Sequence, residues 1–150
     1  MMKRFRSGSA LLLAALLWAT AAHAWSFGVC GDSRDDKNGI FPGILAAVRD
    51  SDMEFLLHTG DLERPGGKKS WEAFKAKTAG FGKPLYVGIG NHEIRGGTRE
   101  EFARFFGLRS TSYGFTHRDT HFIIIDNAGG SLPDDVLGWA DRELAAHPKG

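Results

Sequence analysis

Three short apolar runs in this chain each lead into a glycine followed by an oxygen-bearing side chain. Ser26 to Gly31 runs into Gly31-Asp32, Met53 to His58 is followed by Gly60-Asp61, and Pro84 to Ile89 is followed by Gly90-Asn91-His92-Glu93. Short, nearly continuous apolar runs suit strands buried on both faces, as in a parallel sheet. Between the first two runs Ile40, Phe41, Ile44, Leu45 and Val48 recur at helical spacing, and between the second and third Trp71, Phe74 and Thr78 do so. This order predicts an α/β fold, a βαβαβ sheet with helices on its faces. Ligands of such sheets bind beyond the carboxyl ends of the strands, so the three polar endings aim at one place.

The remaining chain extends this pattern. Thr98-Arg99-Glu100-Glu101 is a capping box ahead of Phe102, Phe105 and Phe106, which predicts a short helix. Ser112 to Thr116 and Thr120 to Asp126, separated by polar His117-Arg118-Asp119, predict a hairpin whose second arm, Phe122 to Ile125, is fully buried. A last helix is expected to start from Ser131 and Asp134, carry Val136, Leu137, Ala140 and Leu144, and end near His147-Pro148. His58 reads as a histidine packed near a strand end. His117 and His121 read as surface or interface residues, and His147 as a cation favoured by a helix C-terminus. Trp71 and Phe102 read as core.

Composition narrows the function classes. The 150 residues carry 19 Lys+Arg against 18 Asp+Glu, a net charge of +1, which gives no basic excess to attract nucleic acid. A single cysteine, Cys30, rules out an internal disulfide framework and a thiolate-rich zinc site. Its place in Phe27-Gly28-Val29-Cys30 predicts a buried, inert thiol. The cationic opening Met1-Met2-Lys3-Arg4-Phe5-Arg6, the apolar Ala10 to Ala19 and the small-x-small Ala22-His23-Ala24 read as a secretory signal peptide, residues 1–24. Its apolar run is shorter than the ~20 residues that cross a bilayer. Cleavage would leave a domain of residues 25–150, exported to the periplasm or secreted, without a membrane span.

Asp32, Asp61 and Asn91 offer two carboxylates and an amide oxygen, hard donors suited to divalent cations. A single Gly-Asp pair is more often a loop than a ligand, but two of them and a Gly-Asn at successive strand ends form a constellation. One carboxylate can bridge two ions about 3.5 to 4 Å apart, the separation at which a shared hydroxide can attack phosphorus. His92 could then protonate the leaving oxygen, with Glu93 orienting the imidazole. Other motifs fail: Gly88-Ile89-Gly90 lacks the third glycine of a dinucleotide loop, Gly67-Lys68 lacks the rest of a phosphate loop, and His92-Glu93 lacks a second His four residues on.

Gly31-Asp32-Ser33-Arg34, Gly60-Asp61-Leu62 and Gly90-Asn91-His92-Glu93, followed by Tyr113-Gly114-Phe115 and His121 to Asp126, resemble the calcineurin-like metallophosphoesterase superfamily, which includes purple acid phosphatases and bacterial phosphodiesterases. The resemblance covers essentially all of the chain after the signal. It implies that Asp32 ligates a first metal ion, Asp61 bridges two, and Asn91 ligates the second. It also implies that His92 contacts the phosphate or acts as general acid, with Glu93 behind it. The cofactors would be two divalent or trivalent ions of Fe, Zn, Mn or Mg, and the substrate a phosphomonoester or phosphodiester. The family commonly has His two residues after its first Asp. Here that place is Arg34, a guanidinium that cannot ligate a metal but can pair with a phosphate oxygen. Family members supply further His ligands after a helix like 133–147, so the chain reads as an N-terminal portion of such an enzyme. The competing expectations are a truncated, catalytically inactive fragment, or a site completed by a second chain.

Overall fold

The computed structural model describes residues 24–148 apart from position 35, so all but the last residue of the expected signal segment lies outside the described residues. Three strands, β1 (Gly28–Cys30), β2 (Leu56–His58) and β3 (Leu85–Val87), pair in parallel in the order β1-β2-β3, with Gly28 opposite Leu56 and Leu56 opposite Leu85. The crossovers carry α1 (Ile40–Arg49) and α2 (Lys68–Thr78). After β3 come α3 (Asn91–Gly96), α4 (Arg99–Phe106), the antiparallel hairpin β4 (Tyr113–His117) and β5 (Thr120–Ile124), and α5 (Asp134–Ala146). The α/β class expected from the sequence is the one observed.

Period-two alternation along the strands divides the core into two layers. Leu56, His58 and Val87 face helices α1, α2 and α4, whose Phe41, Leu45, Val48, Trp71, Phe74 and Phe102 form the main apolar cluster. The opposite side holds Phe27, Phe55 and Tyr86, and there the hairpin covers the sheet. Phe115 stacks on Tyr86 with ring centroids 3.6 Å apart, and Phe122 meets Phe27 and Phe55 edge-on at 5.2 and 5.4 Å. Such ring pairs add about 0.5–1.5 kcal/mol each beyond the area they bury. Tyr113 ties the hairpin to β3 by donating its hydroxyl to the Val87 carbonyl at 3.0 Å.

Two burial expectations are corrected. Val29 of β1 is 58% exposed, because the hairpin covers Phe27 on the same face but not the end of the strand. The arm Phe122 to Ile125 is half-buried rather than fully buried, with Ile125 exposed, because β5 pairs only with β4 among the described strands. Cys30 is half-buried, and burial pushes its thiol up to about 11, so it is protonated and unreactive at neutral pH.

End-capping explains where the helices start. Asp36 accepts from the Ile40 and Phe41 amides at 2.8 and 2.9 Å, satisfying two orphan donors of α1. The Thr98 box forms as expected, with Glu101 N donating to Thr98 Oγ1 and Thr98 N to Glu101 Oε2. Ser131 does not cap α5. Pro133 holds that position without a side-chain bond, and Asp134 and Asp135 in the first turn complement the dipole instead. At the far end of α1, the Lys83 ammonium donates to the carbonyls of Val48, Ser51 and Met53 at 2.6–2.8 Å and closes the turn into β2.

Candidate metal centre

The carboxyl ends of the three strands come together almost backbone to backbone. A Cβ on Gly60 would lie 2.5 Å from the Gly90 amide, and one on Gly90 would lie 2.2 Å from Asp61 Oδ1. The glycines before Asp61 and Asn91 are therefore required by close approach, and Gly90 itself has an ordinary extended backbone. The turn out of the strand is made by the aspartates: Asp32 (φ 53°) and Asp61 (φ 57°) both adopt the left-handed conformation. Asp tolerates this region better than most residues, yet each instance stores on the order of 1 kcal/mol, and such strain gathers at functional sites.

An open cleft of about 290 Å³ lies over these ends, lined by Asp32, Asp61 and Asn91 together with Thr59, Gly90 and the loop residues Asn127, Ala128 and Gly130. All three expected metal ligands share it. Asn127 is a polar group the sequence reading missed, since no motif surrounds it. The loop that presents it is anchored by Asp126, which is buried. Asp126 accepts from Arg99 Nε at 2.7 Å, Thr111 Oγ1 at 2.6 Å and the Ala128 amide at 2.9 Å. Burial opposes the charge on Asp126, but these donors outweigh it and hold the carboxyl below its usual range.

Arg34 reaches into the site. Its guanidinium donates to Asp61 Oδ2 at 2.5 Å and pairs with Asp32 Oδ1 at 3.1 Å. Asp61 Oδ1 accepts the His92 amide at 3.0 Å, so the start of α3 is fastened to the same carboxylate. The Asn91 amide has one end 3.3 Å from Asp61 Oδ2 and the other 3.1 Å from the Arg95 guanidinium. Its nitrogen faces Asp61 when the pair hydrogen-bonds directly. With a cation between the two groups the amide would turn its oxygen inward.

Glu93 is wholly buried, and its carboxylate accepts three amides: Asp61 N at 2.8 Å and Gly90 N at 2.7 Å on Oε2, and Leu62 N at 2.9 Å on Oε1. It forms no hydrogen bond to the His92 imidazole, so the expected role of orienting that ring gives way to one of clamping the β2 and β3 ends together. His92 is buried and does not line the cleft. His58 is packed as expected, in ring contact with Phe41 and Phe74. Its Nδ1 accepts from the Gly60 amide at 3.2 Å, so Nε2 carries the proton and donates to Ser33 Oγ at 2.9 Å. Ser33 passes the chain on to the Leu62 carbonyl at 2.9 Å. Burial lowers the His58 pKa to about 4, against a smaller opposing pull from Asp61, so it stands neutral at pH 7.

The donor set fits a hard cation. Two carboxylates and a carboxamide converge on a cleft, and a guanidinium already sits on both carboxylates, showing that the position favours positive charge. A family model described as calcineurin-like phosphoesterase matches residues 26–142. The chain belongs to the calcineurin-like phosphoesterase family. Comparison with curated proteins finds no match. Membership makes this phosphoesterase a metal-dependent hydrolase acting on ester bonds. Among the described residues, no helix of this phosphoesterase is long and apolar enough to cross a membrane.

Proposed function

We propose that the chain is an exported phosphoesterase that holds two metal ions at the Asp32–Asp61–Asn91 cleft and hydrolyses a phosphomonoester or phosphodiester. The observation that carries this reading is the convergence of those three oxygen donors on one open cleft at the strand ends. Asp32 and Asn91 would each hold one ion and Asp61 both, and Fe, Zn, Mn and Mg all suit the oxygen set. When bound, the ions supply an activated water and neutralise charge on the phosphoryl oxygens. Glu93, through its three amide bonds, fixes the spacing between the Asp61 and Asn91 loops. Arg34 is the substrate clamp: released from the carboxylates when cations take its place, its fork can grip a phosphoryl oxygen pair. His92 would reach the leaving-group oxygen only by turning its buried ring into the cleft, while its backbone N–H keeps Asp61 oriented. Export rests on the cationic, apolar and small-x-small order of residues 1–24.

The test is hydrolysis of aryl phosphate monoesters and diesters by the metal-stripped chain after adding Mn²⁺, Zn²⁺, Mg²⁺ or Fe. The reading expects activity to return with metal and to follow its occupancy. No hydrolysis with any of these ions would overturn it.

A further inference from the structure

A second group of metal-ligating side chains lies on residues that the phosphoesterase cleft does not use. His121 on β5, Glu143 in the last turn of α5 and His147 at its C-cap each place one ligand atom within 4.8 Å of the other two. The sequence expectation made His121 a surface or interface residue, but its side chain is only 9% exposed. Its Nδ1 is hydrogen-bonded to Thr116 Oγ1 at 2.9 Å, which fixes the ring, while Nε2 is buried without a hydrogen-bond partner. Glu143 Oε2 lies 3.3 Å from that nitrogen, close enough for an ion pair but outside hydrogen-bond geometry. A buried nitrogen left unpaired costs about 1–3 kcal/mol, so something beyond the described contacts is needed to account for it.

We propose that His121, Glu143 and His147 form a second metal site, selective for a zinc-type divalent ion. Two imidazoles and one carboxylate are the borderline donors zinc takes, and three protein ligands leave a fourth position for water. His121 already has the outer contact of a metal-binding histidine, whose second nitrogen is held by a protein oxygen. His121 has Thr116 at Nδ1, and His147 Nδ1 donates to the Glu143 carbonyl at 2.9 Å, which leaves Nε2 of each ring with a lone pair when Thr116 accepts. The two rings stack with centroids 3.6 Å apart, so the more exposed His147 must swing to turn its lone pair toward the ion. Gly114 lies beneath the site: a Cβ there would come within 2.7 Å of His121 Nε2.

The fold gives this ion a structural task. Only Ala140 is buried along α5, whereas Leu137 and Leu144 are exposed, so apolar packing holds the helix weakly. An ion bound to β5 and to the last turn of α5 fastens the helix to the hairpin.

The test uses the full chain with Co²⁺ as a spectroscopic probe and Zn²⁺ as competitor. A low-coordinate histidine site gives intense visible bands, whereas the all-oxygen cleft gives weak ones. The expected result is one Co²⁺ per chain with intense bands, displaced by Zn²⁺. These bands should persist in Asp61→Asn, and their affinity should fall by at least about tenfold in Glu143→Gln and in His147→Ala. Because His147 is at the surface, His147→Ala keeps the fold. Zn²⁺ should raise the melting temperature of Asp61→Asn, and this rise should be lost in the double variant Asp61→Asn/His147→Ala. Absence of the bands, or their survival in both His147→Ala and Glu143→Gln, would overturn the proposal.

Discussion

The Arg34 guanidinium donates to Asp61 Oδ2 at 2.5 Å and pairs with Asp32 at 3.1 Å, so a side chain supplies positive charge between the two carboxylates that the fold brings together. Two carboxylates at converging strand ends repel unless a cation lies between them. Arg34 and metal ions therefore compete for the same oxygens. Replacing Arg34 with Gln should tighten Mn²⁺ binding by about tenfold, a change of about 1.4 kcal/mol, and should also raise KM for an aryl phosphate because the clamp is lost. Calorimetric titration and steady-state kinetics check the two halves. Weaker metal binding in Arg34→Gln would count against competition.

Glu93→Gln separates a clamp from a catalytic group. A carboxamide has one acceptor oxygen, so it cannot accept all three amides, and its NH₂ would face a donor. The expected loss is about 2–3 kcal/mol of folding stability, read by urea unfolding, with metal affinity reduced because the Asp61 and Asn91 loops separate. If Glu93 served only to orient His92, kcat would fall while stability stayed unchanged.

His58 makes the fold acid-sensitive in a defined window. Its pKa is about 4 when folded against about 6.5 when unfolded, because burial disfavours the imidazolium. Above pH 6.5 its contribution is intact. As pH falls toward 4 the unfolded chain takes up a proton that the folded chain refuses, and the stability lost reaches roughly 3 kcal/mol. Urea midpoints measured from pH 7 to 4 should fall for the unaltered chain and fall less for His58→Gln. Parallel pH dependence of the two would show that other groups dominate.

Much of the site is legible in the sequence because it rests on local pattern. The apolar runs and helical spacings predict β1–α1–β2–α2–β3, and the Gly-Asp, Gly-Asp and Gly-Asn-His-Glu endings place Asp32, Asp61 and Asn91 in one cleft. What escapes is set by contacts distant in the chain. Helix α3 has six residues and no apolar repeat, so its start at Asn91 is invisible in the pattern. Asn127 reaches the cleft only because Arg99 and Thr111 hold Asp126 in place. Glu93 looks like a neighbour of His92 in the sequence, but two of its three partners lie some thirty residues earlier, at Asp61 and Leu62. His121 joins Glu143 and His147 only when α5 packs back on the hairpin.

Asp61 ties the cleft together, contacting Arg34, the α3 amide and the Asn91 side chain. The most direct test is metal-supported hydrolysis of an aryl phosphate by the full chain and by Asp61→Asn. Asn keeps the His92 amide bond and tolerates the left-handed backbone, so the variant should still fold. Asp61→Asn should lower kcat/KM by about a thousandfold, or about 4 kcal/mol, with cooperative unfolding retained. Hydrolysis by Asp61→Asn within a few-fold of the unaltered chain, at equal metal concentration, would contradict a metal-holding role for Asp61.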